Sequence, residues 1–566
     1  MLCTNDIAPA IKWIKSCRRM PWMVNLEDQY ITDDQVKAAY QNTRLEHNIQ
    51  LDINSSPKLA RLTRIMVTLG MTNSHPDAVV NMMMAGANIV RLNMSHETEK
   101  WHAITVQSVR EAGNRMYELT TEVYPLGVAM NLQGPEIRTG AFRGDEKSIV
   151  YLQGYAKLEE GKMVKLVTND IAKRGGCATC FWISYLELPR VCRVGDRILI
   201  DRGAALLQVA CIHEEAVTCK IIKGGIVRDN KLVQLLDSVV SLPQISEKDT
   251  EHMKLASMLE CDFLIMNHTR NEKMLYGIKS RLKKMGVTKI CVMAKISNQQ
   301  GFENFDEILH SADAILLDRN NIEIDVGSEK LFLVEKIIIA KCIRIGKPIV
   351  LGFQVYNNEQ LNIDMNLIAH AVLNGVDAIF LKTGAMNMKD TTKLLRDVDI
   401  VCREAESARW QKEIFDELSY KVPIPLDPLH AIIVGAVETS IKSNAAAIVV
   451  TTTTGRSAVL LSMYRPKCLI LAVTRYGVVA RWLQLYYGIH SVHYRTEPLS
   501  DWGKDMQTRI QTGIDSLRRK GYIRVGDAIV IVSGWRQGAG FTNCIRIVYV
   551  SPGHMENQIA DSESCW

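Results

Sequence analysis

Eight short apolar runs recur along the chain with helix-period segments between them, and that alternation restricts the fold more than any other feature of the sequence. The runs cover 64–69, 88–93, 126–131, 262–266, 289–295, 313–317, 348–351 and 377–381. Helical spacing of apolar residues fills 98–119, 247–259, 272–284, 329–345 and 389–406. Strand, helix, strand at this regularity predicts right-handed crossovers and a closed eightfold (β/α)8 TIM barrel, an α/β fold. In such a barrel ligand chemistry gathers where the strands end.

Two other patterns interrupt or follow the repeat. Between 138 and 242 short alternating runs at 164–167, 197–200, 206–212 and 216–222 are separated by Gly and Asp turns, which predicts a small β-barrel inserted after the third strand. From about 408, strand patterns at 446–451, 468–473, 490–493, 528–532 and 544–550 alternate with helical ones, as in a doubly wound α/β sheet. The expected division is an N-terminal extension with a helical segment (1–60), the barrel in two parts (61–137 and 243–407), an inserted small β-barrel (138–242), a C-terminal α/β unit (408–550) and a flexible tail (551–566).

A chain of 566 residues has room for several cores. No apolar run approaches the roughly 18 to 20 residues that span a bilayer, so no membrane segment is expected. The net charge of +6 is spread without a Lys/Arg block, which gives no nucleic-acid footprint. Fourteen Cys at irregular spacing and no secretory signal read as reduced thiols of a cytoplasmic protein. Cys177 and Cys180 form a lone CxxC, read as chance spacing in a loop. The basic stretch Ile11 to Arg19 lacks the Ser richness of a transit peptide and reads as a solvated helix.

The residues that end the apolar runs are unusual. The second run ends Arg91-Leu-Asn93-Met-Ser95-His96, the third leads into Asn131-Leu-Gln-Gly-Pro-Glu136-Ile-Arg138, and the fifth ends in Lys295. Taken singly, Lys295 could be a buried lysine paired with a carboxylate, and Arg91 and Arg138 could be solvated. Three cations on neighbouring strand ends are explained more simply by a polyanionic ligand, because buried charges need partners.

These segments, with Leu242-Pro-Gln-Ile-Ser-Glu-Lys-Asp249, Phe305-Asp-Glu-Ile-Leu309 and Gly534-Trp-Arg-Gln-Gly-Ala-Gly-Phe-Thr-Asn543, resemble the pyruvate kinase family from about residue 44 to 550. The resemblance implies phosphoryl transfer from phosphoenolpyruvate to ADP, giving ATP, with Mg²⁺ and K⁺, in a tetramer of like or mixed chains. It implies catalytic roles for Arg91 and Lys295, nucleotide-side roles for Arg138, His96 and Asn93, and potassium ligation by Asn93 and Ser95. In the C-terminal unit it implies a sugar-bisphosphate effector site built from Thr452, Arg456, Ser457, Trp502, Arg509 and the loop carrying Gly538, with Thr453 in place of a usual lysine.

The departures from the family pattern are as specific. Asn131 replaces the anionic potassium ligand, while Ser297 and Asn321 replace the two magnesium carboxylates. Asp318-Arg319-Asn320-Asn321 stands where the family has Ala-Arg-Gly-Asp, and Lys382-Thr-Gly-Ala385 where it has Ser-Gly-Glu-Thr. Asn267 replaces a serine and Phe353 a threonine, the phenyl ring being expected to fill the space of the substrate carboxylate. Mg²⁺ prefers hard anionic oxygens, so binding to neutral Ser and Asn oxygens would be weakened. The sequence therefore supports a family member with strongly reduced or no turnover and a retained effector site, or an active kinase with atypical Mg²⁺ and K⁺ coordination. A moonlighting nucleic-acid or structural binder has no supporting basic stripe.

Overall fold

The computed structural model describes residues 35–143, 154–169, 173–237, 243–357, 360–361, 363–422, 425–536, 538 and 540–550. The basic N-terminal stretch and the polar tail of the sequence lie outside these residues. Eight parallel strands close into a barrel: β1 (Arg64–Thr68), β2 (Ile89–Asn93), β3 (Gly127–Asn131), β4 (Phe263–Met266), β5 (Cys291–Ile296), β6 (Ala314–Asp318), β7 (Ile349–Gln354) and β8 (Ala378–Lys382). Closure is by β1 against β8, with Val67 opposite Leu381.

The strands read as continuous apolar runs because both faces are buried. One face of each strand fills the barrel axis through Met66, Ile89, Ala129, Phe263, Ile265, Met293, Leu316, Val350 and Phe380. The other face, including Ile65, Val90, Val128, Leu264, Ile315 and Leu351, packs under the surrounding helices. Those helices start on side-chain caps, such as Asn271 before Glu272–Lys284 and Asn387 before Met388–Ala408.

Between β3 and β4 the expected small β-barrel takes the form of a seven-stranded sheet and two short ladders around one core. In spatial order the sheet runs Ile137–Arg138, Leu232–Leu235, Arg197–Ile200, Ala205–Ile212, Ala216–Lys223, Met163–Val167 and Cys180–Trp182. Leu166, Phe181, Ile198, Val217 and Ile221 belong to its core.

The C-terminal sheet comprises β9 (Ala447–Thr451), β10 (Leu469–Thr474), β11 (Ile489–His493), β12 (Ala528–Gly534) and β13 (Thr542–Tyr549), ordered β11-β10-β9-β12-β13 with β13 antiparallel. Separate apolar clusters cover its two faces. This unit seals the N-terminal end of the barrel. Arg465 pairs with Asp377 just before β8 at 2.8 Å, and Arg481 pairs with Asp262 just before β4 at 2.7 Å. Trp482, Leu485 and Tyr486 pack against the barrel-axis cluster. The C-terminal strand ends are left as the mouth. Among the described residues no helix is long and apolar enough to cross a membrane.

Candidate active site

Strand alternation decides which side chains reach the mouth, since residues two apart share a face. Met66, Ile89, Ala129, Ile265, Met293, Leu316, Val350 and Phe380 line the axis. The same parity carries Thr68, Arg91, Asn93, Asn131, Asn267, Lys295, Ser297, Asp318 and Lys382 to the mouth. Phe353 has the opposite parity. It packs, 4% exposed, into the layer between strands and helices rather than into the space of a substrate carboxylate, which corrects the expectation from sequence.

Asp318 is the hinge of the charge arrangement. It is fully buried, and its two oxygens accept from Lys295 Nζ at 2.8 Å and Lys382 Nζ at 2.7 Å. Asn321 Nδ2 also donates to it at 3.2 Å. Burial by itself favours the protonated acid, but the two ammonium groups outweigh it and hold the carboxyl well below the usual range. Lys295 is therefore paired with a carboxylate of the chain itself. Neither Asp318 nor Lys382 was assigned a role from sequence. The signal was present, because an acid and a lysine gained together on one rim are the two halves of an ion pair.

Arg91 donates to Thr68 Oγ1 and to Asn93 Oδ1, both at 3.2 Å, with its guanidinium 5.1 Å from the Phe380 ring centre. Asn93 Oδ1 also accepts from Asn131 Nδ2 at 3.1 Å. Ser95 is half-buried and His96 exposed in the following turn.

On the side facing the inserted sheet, Glu136 forms a second cluster. It pairs with Arg138, and its Oε1 accepts from Asn267 Nδ2 at 2.8 Å and from His268 Nε2 at 3.1 Å. The other imidazole nitrogen, Nδ1, lies 2.8 Å from Ser297 Oγ. Burial pushes the Glu136 carboxyl up, but its bonds to His268 and Arg138 bring it down to about 2. Arg138 is thus tied to Glu136 and to Asn230 O at the base of the inserted sheet, and Lys295 to Asp318. The three cations expected on one rim divide between these two acids and the Asn93 amide.

These residues do not fit a magnesium centre. Ser297 and Asn321 offer neutral oxygens, Ser297 is engaged with His268, and both Asp318 oxygens are occupied by ammonium groups. No cluster of three His, Cys, Asp or Glu suited to a metal ion exists among the described residues. The residues expected to hold potassium are likewise engaged with one another. Asn93 Oδ1 already accepts two N–H groups, one from Arg91, and no anionic ligand remains there.

In the C-terminal unit, the turn after β9 places Thr452 Oγ1 to accept from Gly455 N at 3.0 Å, and Gly455 at φ +85° caps the helix Arg456–Met463. Ser457 Oγ is 3.1 Å from Thr542 Oγ1 on β13. Arg456 reaches Asp427 at 3.4 Å. Arg509 pairs with Asp505, an acid it shares with Arg475, one turn along the helix that Trp502 begins. Gly538, at φ +117°, lies in the loop between β12 and β13.

A family model described as pyruvate kinase, barrel domain, matches residues 60–389, and one described as pyruvate kinase, alpha/beta domain, matches 430–548. The chain is 35% identical over 527 residues to pyruvate kinase PKLR of Rattus norvegicus, covering 92% of this chain and 91% of that protein. It is 34% identical to the Homo sapiens protein of the same name over the same shares. Against pyruvate kinase of Leishmania mexicana the identity is 30% over 516 residues, covering 90% of this chain and all of the other.

Proposed function

The chain belongs to the pyruvate kinase family, and from that premise we propose that it is a member with strongly reduced phosphoryl-transfer turnover, kept as a ligand-binding subunit. The observation that carries this reading is Asp318 between Lys295 and Lys382. Phosphoryl transfer depends on positive charge aimed at the transferring group. Here one ammonium is neutralised internally, while both positions for magnesium carboxylates hold neutral side chains.

Arg91, Lys295 and Lys382 would still favour an anionic ligand such as phosphoenolpyruvate, and Arg138, His96 and Asn93 are assigned to the nucleotide side. Thr452, Arg456, Ser457, Trp502, Arg509 and the Gly538 loop are assigned to a sugar bisphosphate, whose phosphates suit arginine forks and a helix N-terminus. The working form is a cytoplasmic tetramer of this chain or of this chain with an active relative.

Calorimetric titration of the purified chain tests the reading. Phosphoenolpyruvate should give a saturable heat that adding Mg²⁺ does not sharpen. Fructose 1,6-bisphosphate should bind independently of metal and lose at least about tenfold in affinity in Arg509→Ala, a loss of roughly 1.4 kcal/mol. No saturable heat from the parent chain, or strict dependence of phosphoenolpyruvate binding on Mg²⁺, would refute it.

A further inference from the structure

Ser297, His268 and Glu136 make one hydrogen-bonded chain. The Glu136 carboxylate can only accept, so His268 Nε2, 3.1 Å from it, carries the ring proton. In the neutral ring Nδ1 is then the lone-pair nitrogen, to which Ser297 Oγ, 2.8 Å away, donates. A hydroxyl donating to an imidazole that is oriented by a carboxylate is the arrangement that activates a serine nucleophile. His268 holds this pose at φ +49°, a backbone region uncommon for a residue with a side chain.

The relay opens into a cavity of about 410 Å³ between barrel and inserted sheet. Pro135, Leu232 and Leu236 line its apolar side, Arg270 borders the same space, and Glu303 and Asp325 disfavour anions there. We propose that this relay hydrolyses small uncharged carboxylic esters with a short apolar acyl group, an activity separate from phosphoryl transfer and independent of the function proposed above.

The step balances without a further reagent. Ser297 Oγ bonds to the acyl carbon while its proton passes to His268 Nδ1, and that proton leaves with the departing alcohol oxygen as the ester bond breaks. Water, deprotonated by the same nitrogen, then releases the acid and regenerates Ser297.

The test treats the full chain with a fluorophosphonate probe and, separately, with p-nitrophenyl butyrate. The expected result is a mass adduct on the Ser297 peptide and ester hydrolysis above buffer, falling to the buffer rate in Ser297→Ala. His268→Phe should lose at least about tenfold in both readouts with its melting transition preserved. Absence of an adduct at Ser297 in the unaltered protein, or equal hydrolysis by Ser297→Ala, would overturn the proposal. The adduct is read on the parent chain, so it stands even if a variant fails to fold.

Discussion

At the scale of single residues, Asp318 is the group whose loss should be felt most. Removing its charge in Asp318→Asn leaves two ammonium groups facing each other at the mouth. Breaking a buried pair in this way typically costs about 3 to 5 kcal/mol. Denaturant unfolding of the variant should show a loss of that order, and a change below about 1 kcal/mol would mean that solvent already screens the pair. The sign of the pH dependence follows from the depressed carboxyls. Asp318 sits well below its ordinary value and Glu136 falls to about 2. Their stabilisation is therefore complete above about pH 4.5 and is lost as pH falls through the folded values. Melting curves of the parent between about pH 6 and 3 should show this acid-side loss, reduced in Asp318→Asn.

At the scale of elements, the mouth is held in register by small devices. Ser246 and Asp249 form a reciprocal capping box at the start of the helix Glu247–Met258. Asp249 Oδ1 also accepts from Gly134 N at 3.0 Å. That bond fastens the loop after β3, where Gly134 at φ +74° would bring an added Cβ to 3.2 Å from the Asn267 Cβ. Asp249→Ala removes the cap partner and leaves a buried N–H unsatisfied, at a cost of roughly 2 to 3 kcal/mol. Hydrogen exchange at Gly134 should quicken in that variant; unchanged protection would show that the loop is held by other contacts.

Much at this scale was legible in advance. The eight barrel strands fall within a few residues of their apolar runs, because burial on both faces writes an unbroken pattern. Arg91 and Lys295 were singled out as the ends of apolar runs, whereas Ser297 and Asn321 were singled out only through the family resemblance, and Asn321 lies in the helix Arg319–Val326 that follows β6. Less legible was which cation meets which acid. The Lys295–Asp318–Lys382 bridge joins three strands, and the Ser297–His268–Glu136 relay joins β5 to the loops after β3 and β4. Such contacts depend on closure of the barrel and not on local spacing. Phe353 shows the converse, since counting two residues from the outward-facing Leu351 places it on the outer face.

At the scale of the whole molecule, the C-terminal sheet closes one end of the barrel through charge pairs buried at the junction. Asp377 accepts from Arg465 at 2.8 Å, from Ile349 N at 3.0 Å and from Tyr487 N at 3.1 Å, with Arg465 packed 4.8 Å from the Tyr487 ring centre. Arg465→Met should therefore weaken the junction more than either sheet, turning one cooperative melting transition into two in calorimetry. A single transition shifted downward would instead mean that the two units unfold as one body. The Arg465–Asp377 pairing could not be read from sequence, since the partners lie 88 residues apart and carry no shared motif.

In the proposed reading, the positive charge that balances the acids of the mouth comes from the chain's own ammonium and guanidinium groups in place of a bound metal. Steady-state pyruvate formation from phosphoenolpyruvate and ADP, with Mg²⁺ and K⁺ varied independently, tests it most directly. Turnover should fall at least about a hundredfold below the roughly 10 to 100 per second of an ordinary kinase, with little response to either ion. Turnover of about 10 to 100 per second that rises and saturates with millimolar Mg²⁺ would contradict it.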